Sequence, residues 1–318
     1  MSNHSTIAEF LLLGFSDIRE LQILHFVVFL VMYLAVLMGN LLVISAMVFE
    51  HRLHTPMYFF LGNLAVFDLG SVSVIIPKSI ANSLRNTRVI SYSGCVAQVL
   101  LFMFLCSAGL GILTVMAYDR YVAICHPLHY KQVMNRRACV HMAASAWVSS
   151  LLYSVLHTGS TFAISFCGGH MVDQFFCDIP QLLKLACPDS DSGEIGVIVF
   201  SACLVFSCLV FIIVSYVQIF RAVLRIPSEQ GRHKAFSTCL PHLILVSLQI
   251  STGVFAYLKP PSSSTSHLDL AVLVFYSVVP PVLNPVIYSM RNKELQAALW
   301  KLTGQRLLTS NKKSLFHI

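Results

Sequence analysis

The chain has 318 residues, 56% of them hydrophobic and 11% charged, with a formal net charge of +7. A soluble domain carries about a quarter charged residues, so a water-soluble fold of this length would hold more apolar surface than it could hide, and the composition indicates a membrane protein. The basic residues flank apolar runs, which excludes nucleic acid as the expected partner and favours anionic lipid and an acidic cytosolic surface.

In chain order, residues 1–23 read as an outer tail carrying the glycosylation sequon Asn3-His4-Ser5. No signal peptide is expected, because the first apolar run is too long for an h-region and no basic n-region or small-residue cleavage site accompanies it. Seven stretches reach the roughly 20 residues that a spanning helix needs. They are Leu24–Phe49, Met57–Ser83, Ser93–Tyr118, Cys139–His157, Ile195–Phe220, Ala235–Leu258 and Leu268–Met290. An all-α seven-helix bundle follows, occupying residues 24–290, with a cytoplasmic tail over 291–318. In that tail Asn292–Leu302 places Leu295, Leu299 and Leu302 at helical spacing, as a short amphipathic helix on the inner interface would. With the N-terminus outside, fifteen of the 21 basic residues fall on the inner face and six on the outer, which is the orientation the positive-inside rule favours.

Cys95, Cys167, Cys177 and Cys187 fall on the outer face, where disulfides persist. Four cysteines allow three pairings, and the sequence alone does not choose. The other six, in spans or on the inner face, read as small apolar packing residues.

Polar groups inside the spans are the expensive ones. Asp68 sits in the middle of the second span, where a charge costs at least about 2.5 kcal/mol on insertion scales, so it must face the bundle interior and find partners. Asn40 and Asn284 also lie inside spans and could complete a buried polar cluster with water or a cation. Pro285 removes a backbone donor within the seventh span, with Pro280 and Pro281 just before it. A kink is expected near Asn284, whose amide could serve the freed carbonyl; Pro241 could act similarly in the sixth span. The third span ends in MAYDRYVAICHPLHY, Met116 to Tyr130. There Asp119 and Arg120 form either an ion pair exchanged when helices move or an interface anchor, and spacing does not settle which.

Taken together, these motifs resemble those of vertebrate olfactory receptors, within the rhodopsin-like class of G-protein-coupled receptors. The resemblance rests on Gly39-Asn40, LHTPMYFFLGNLA from Leu53 to Ala65, Asp68, Pro77-Lys78 and MAYDRYVAICHPLHY. It continues through Ser215-Tyr216, KAFSTC from Lys234 to Cys239 with His242, and PPVLNPVIYSMRNKEL from Pro280 to Leu295. The motifs run in the family's order and cover nearly the whole chain. The resemblance implies an odorant pocket in the outer half of the bundle and activation of a stimulatory G protein that raises cyclic AMP. It implies a multi-pass location in the plasma membrane, in the cilia of olfactory neurons. It also implies the pairings Cys95–Cys177 and Cys167–Cys187. Arg120 is then the residue that leaves Asp119, beside Tyr121, with Tyr216 and Tyr288 as its active-state partners.

The chain departs from the family pattern at three places. Gly109 stands where the family often has an acid that could help Asp68 hold a cation, which argues against a sodium site. Gln249, Ile250 and Ser251 replace the usual FYG in the sixth span, so the aromatic toggle is missing. Gln174 replaces a loop His proposed to bind metal, leaving Cys177 and Asp178 without that ligand; no metal and no cofactor are expected.

By analogy with the family, the pocket residues are Phe102, Met103, Cys106 and Ser107 on the third span and Phe200, Ser201 and Leu204 on the fifth. The sixth span adds Gly253, Val254 and Tyr257, and the seventh Leu273 and Ser277. Phe102, Met103 and Cys106 share a helix face. The set is apolar with a few hydroxyls and no formal charge, which favours a small neutral volatile ligand, with Ser107 and Tyr257 orienting one ligand oxygen. Two other readings are a seven-span receptor for a metabolite outside the nose and a secondary transporter. The transporter would need repeated halves with broken helices, and no repeat is visible. An enzyme is not expected, because His157, Asp68 and His242 are scattered over different spans and depths.

Overall fold

The computed structural model describes residues 8–13, 18–85, 87–167, 169–172, 174–187, 192–258, 267–291, 294–301 and 304. The chain enters as strand β1 (Glu9–Leu12), then α1 (Arg19–Phe49), α2 (Pro56–Arg85) and β2 (Val89–Ser91). It continues through α3 (Tyr92–Cys125), a short α4 (Tyr130–Val133), α5 (Arg136–Phe162), β3 (Met171–Val172) and a short α6 (Ile179–Lys184). The last three labelled helices are α7 (Ser192–Leu224), α8 (Glu229–Leu258) and α9 (His267–Arg291). Six of the described helices, α1, α2, α3, α5, α7 and α8, are long and apolar enough to cross a membrane. Helix α9 packs on α1, α2 and α8 as the seventh member of the bundle.

The helices outrun the hydrophobic stretches that announce them. Helix α7 continues through Arg221 to Leu224, and α8 starts at Glu229, six residues before Ala235. Charged residues end an apolar run but are good helix formers, so the turns persist into water. Caps set other boundaries more sharply: the Ser91 Oγ accepts the Gly94 N–H at 3.2 Å at the start of α3, and the Asn135 Oδ1 accepts the Ala138 N–H at 2.9 Å at the start of α5.

Helix α3 is the axis of the bundle, touching α2, α5, α7 and α8. Because lipid tails are as apolar as leucine, close packing and interhelical hydrogen bonds must hold such a bundle. Both are present. A Cβ at Gly111 would stand 3.2 Å from the Ala146 Cβ, which lets α3 and α5 approach closely. Trp147 of α5 donates its indole N–H to Asn63 of α2 at 3.0 Å and packs its ring on Phe67 at 4.8 Å.

Helix α9, with Pro280, Pro281 and Pro285 inside it, is tied to α1 in a way the sequence does not disclose. Pro285 has no N–H for the carbonyl of Pro281, one turn back. Asn40 of α1 supplies the missing donor, giving its side-chain N–H to the Pro281 carbonyl at 3.2 Å and to Val36 at 3.0 Å. The amide of Asn284, expected to serve a freed carbonyl, instead donates to Asp68 at 2.8 Å. Asn40→Leu, which leaves that carbonyl bare, should cost about 1 kcal/mol and lower the melting temperature of purified receptor; an unchanged melting curve would contradict the assignment.

On the outer side, β1 is the middle strand of a three-stranded sheet, antiparallel to β2 and parallel to β3. Phe10 and Leu12 are buried, with Phe10 stacked on Tyr92 and edge-on to Phe166. Part of the segment expected as a tail is thus woven into the outer cap. Cys95 is bonded to Cys177 and Cys167 to Cys187. On the inner side a further helix through 294–301 buries Leu295 and Ala298, while Trp300 is exposed. Glu294 accepts from the Tyr58 hydroxyl at 3.1 Å, and Lys301 pairs with Glu50 at 3.2 Å. Asn3, Asn292 and Leu302 lie outside the described residues.

Candidate functional site

The site has an inner and an outer part, joined through α3. At the inner end Asp119 is fully buried and Arg120 pairs with it, the guanidinium Nε donating to Oδ2 at 2.9 Å. The other carboxyl oxygen accepts the Tyr130 hydroxyl at 2.8 Å. Tyr130 lies in the short helix α4, eleven residues on, brought back under α3 by the turn at Pro127–His129. The buried carboxylate is therefore held from both sides. Tyr121, next along, meets the His126 Nε2 at 3.0 Å.

Beside this pair, three helices meet at a buried histidine. The Tyr216 hydroxyl of α7 is 2.6 Å from the His242 Nδ1, and the His242 Nε2 is 2.9 Å from the Leu113 carbonyl. A carbonyl only accepts, so Nε2 carries the hydrogen, and in a neutral ring Nδ1 accepts from the tyrosine. That arrangement needs a neutral imidazole and ties α3, α7 and α8 together. Tyr288 of α9 reaches the Met116 sulfur at 3.9 Å. Neither Tyr216 nor Tyr288 bonds Arg120 here, which is held by Asp119.

Farther out, a cavity of about 30 Å³ is lined by Asp68, Ser71, Phe102, Cys106, Gly109, Gln249, Ser277, Pro280 and Pro281, among others. One water needs roughly 10–15 Å³ on this measure, so the space suits about two waters beside a carboxylate that Asn284 already serves. A Cβ at Gly109 would meet only Leu64, at 3.8 Å. The space an acid could have used is open, and Gln249 contributes an amide to the lining. Among the described residues no group of three His, Cys, Asp or Glu side chains stands close enough to hold a metal. Asn40, expected in this cluster, serves the Pro281 carbonyl instead of Asp68.

The residues expected to line the ligand pocket divide. Phe102, Cys106 and Ser277 line the cavity. Met103 and Ser107 are partly buried on α3, and the Ser107 hydroxyl donates to the Met103 carbonyl at 2.7 Å and lies 3.1 Å from that of Phe104. Its hydrogen is spent on the helix, so toward a ligand it can only accept. Ser201 is buried and bonded to the His157 Nε2, and donates to the Val197 carbonyl at 2.6 Å. Gly253 is half-buried. Phe200, Leu204 and Val254 are 49%, 41% and 48% exposed rather than enclosed. The physical reason is that α7 rests mainly on α3 and meets α8 over a short stretch, so the outer faces of both stay open. The side chains of Tyr257 and Leu273 lie outside the described residues.

Three contacts escaped the sequence reading, although their residues were named in it. Tyr130 ends the MAYDRYVAICHPLHY motif, but only the fold of the inner loop brings its hydroxyl to Asp119. His242 stands beside the KAFSTC motif, but nothing in one dimension couples it to Tyr216. The His157–Ser201 contact joins α5 to α7 across 44 residues of sequence separation.

The sequence is also similar to those of known proteins. The family model described as olfactory receptor matches residues 29–306. Human olfactory receptor 14A16 is 50% identical over 307 residues, covering 96% of this chain and 99% of that one. Human olfactory receptor 14J1 is 49% identical over 315 residues, covering 99% and 98%. Human olfactory receptor 14I1 is 51% identical over 302 residues, covering 95% and 97%.

Proposed function

This chain belongs to the olfactory receptor family, and on that footing we propose how its geometry turns ligand binding into a signal. It is an odorant receptor and not an enzyme, a multi-pass protein of the plasma membrane that couples to a G protein. In the proposed reading residues 24–290 form the signalling domain. A small, mostly apolar odorant occupies the outer half of the bundle against Phe102, Cys106 and Ser277. Its binding widens the water-sized space above Asp68 and shifts α9 about its Pro281–Pro285 stretch. At the inner end Arg120 leaves Asp119 and turns toward Tyr216 and Tyr288, opening a surface for a stimulatory G protein.

The observation that supports this reading is the continuity of the cavity lining. It runs from Phe102 and Cys106 down to Asp68 and the prolines of α9, so a ligand in the outer half would press on the segment whose hydrogen bonds are rearranged around Pro285. A ligand shifts such an equilibrium only by its difference in affinity for the two states, and a cavity too small for an odorant at rest is one way to create that difference. The test is a cyclic AMP reporter assay against a broad panel of neutral volatile compounds, in cells with trafficking chaperones and with surface staining. A dose-dependent response is expected. Silence across the panel from a receptor stained at the surface would overturn the stimulatory coupling.

A second prediction concerns the buried histidine. Tyr216→Phe removes the hydroxyl that His242 accepts and that Arg120 would meet on activation. Maximal response should fall by roughly tenfold while the surface level holds; an unchanged maximum would remove Tyr216 from the mechanism.

A further inference from the structure

The outer loop holds a buried carboxyl group against the outer end of the bundle. After β3 the chain runs inward through residues 174–178. Phe175 packs on Phe29 with ring centroids 5.5 Å apart, and Phe176 on Phe102 at 5.3 Å. The Ser79 hydroxyl of α2 reaches the Phe175 carbonyl at 3.4 Å. Cys177 is bonded to Cys95, and its N–H donates to the Gln98 Oε1 at 2.8 Å. These contacts fix the loop against α1, α2 and α3 at the level of Phe102, one turn above Cys106.

Asp178 comes next and is 3% exposed. One of its carboxyl oxygens accepts the backbone N–H of Ile179 at 2.9 Å, at the start of α6. Among the described residues no side chain donates to the other oxygen and no cation pairs with it. Burial lifts this carboxyl from the ordinary carboxylate range to about 7, with the Ile179 N–H opposing. Cys106 lies within electrostatic reach of both Asp178 and Asp68. The loop that carries it packs through Phe176 on Phe102, which lines the cavity together with Cys106.

Asp178 is buried as a residue, but its second oxygen is not fully enclosed, so it can still take a donor that a ligand brings. The described surroundings offer little, since the Ser107 hydrogen is committed to α3. We infer that Asp178 is the polar anchor of the odorant site and selects ligands that bring a hydrogen-bond donor, namely primary alcohols and primary amines, over ketones and ethers of the same size. The inference rests on the odorant-receptor reading and names its ligand class. A ligand that donates favours the ionised form of the carboxyl group, which accepts and never donates, and a bond to that form is stronger than one between neutral partners. A site built to bond a hydroxyl also rejects the analogue that lacks it far more strongly than an apolar pocket rejects a missing methylene.

The test uses the full-length receptor and four probes of equal heavy-atom count: 1-heptanol, heptylamine, 2-heptanone and methyl hexyl ether. Dose–response curves for cyclic AMP are recorded beside surface staining for the parent, Asp178→Asn and Asp178→Glu. Asn keeps a good N-cap for α6 but lacks the charge, so potency for the alcohol and the amine should fall ~10-fold while the ketone and the ether hold or improve. Asp178→Glu should keep the preference for donors. Equal loss for all four probes, or loss in step with surface staining, would mean a structural role and overturn the inference. So would a parent receptor that prefers the ketone and the ether, or that answers other odorants but none of the four; the receptor reading would then stand. Silence to these and to the broad panel would overturn both.

Discussion

The double variant Asp119→Asn/Arg120→Gln is expected to reach the cell surface and to give no cyclic AMP response to any odorant that activates the parent. Arg120 is the mobile cation of the inner face and Asp119 its resting partner, with Tyr130 on the far oxygen. Removing Arg120 alone would leave a fully buried carboxylate with only a tyrosine to serve it, and breaking a buried pair costs about 3–5 kcal/mol. A single Arg120→Ala would therefore confuse misfolding with loss of coupling. The neutral pair keeps much of the side-chain volume and the hydrogen-bonding capacity, and the amide oxygen that replaces the carboxylate can still accept from Tyr130. Signalling should drop to background while surface staining stays within about twofold of the parent. A stained receptor that still responds would show that the ion pair is an interface anchor. The companion variant Tyr130→Phe frees one side of Asp119 and should raise ligand-independent cyclic AMP.

Cys177→Ser is expected to remove nearly all receptor from the surface. The Cys95–Cys177 bond joins residues 82 apart in sequence, and loss of a native disulfide typically costs about 2–5 kcal/mol. A fold has only about 5–15 kcal/mol in total. The loop it anchors also holds Phe175, Phe176 and Asp178 against the bundle, so their burial fails with it. Cys187→Ser opens a loop of only 20 residues, and Phe166 still pairs with Ala186 as an isolated bridge. Its effect should be smaller. Flow cytometry on non-permeabilised cells measures both. Equal surface levels for Cys177→Ser and the parent would contradict this account, and Cys95→Ser/Cys177→Ser should behave like either single variant because one bond is lost in each case.

The spans, their number and their orientation were legible in the sequence because they depend on local properties. An apolar run long enough to cross lipid must be helical, since lipid cannot serve the backbone, and flanking Lys and Arg decide which way it lies. The cost of burying Asp68, Asn40 and Asn284 was equally local, and so was the loss of a donor at Pro285. Partner choice was not local. Which amide serves the Pro281 carbonyl depends on how closely α1 meets α9, where a Cβ on Gly39 would stand 3.3 Å from the Pro285 ring. The exposure of Phe200, Leu204 and Val254 follows from the short contact between α7 and α8, which no hydrophobic count contains.

What the sequence by itself determined is a seven-helix membrane protein with its inner face basic, a buried acid in the second span, a seventh span short of a backbone donor at Pro285 and an Asp-Arg pair at the end of the third. Transfer free energies and missing donors impose these residue by residue. Tertiary structure alone decided that β1 joins the outer cap, that Tyr130 returns to Asp119, that His242 links Tyr216 to Leu113, and that the Cys177 N–H meets Gln98. Each of these brings together residues far apart in the chain, and a hydrogen bond within about 3 Å is set by where whole helices pack.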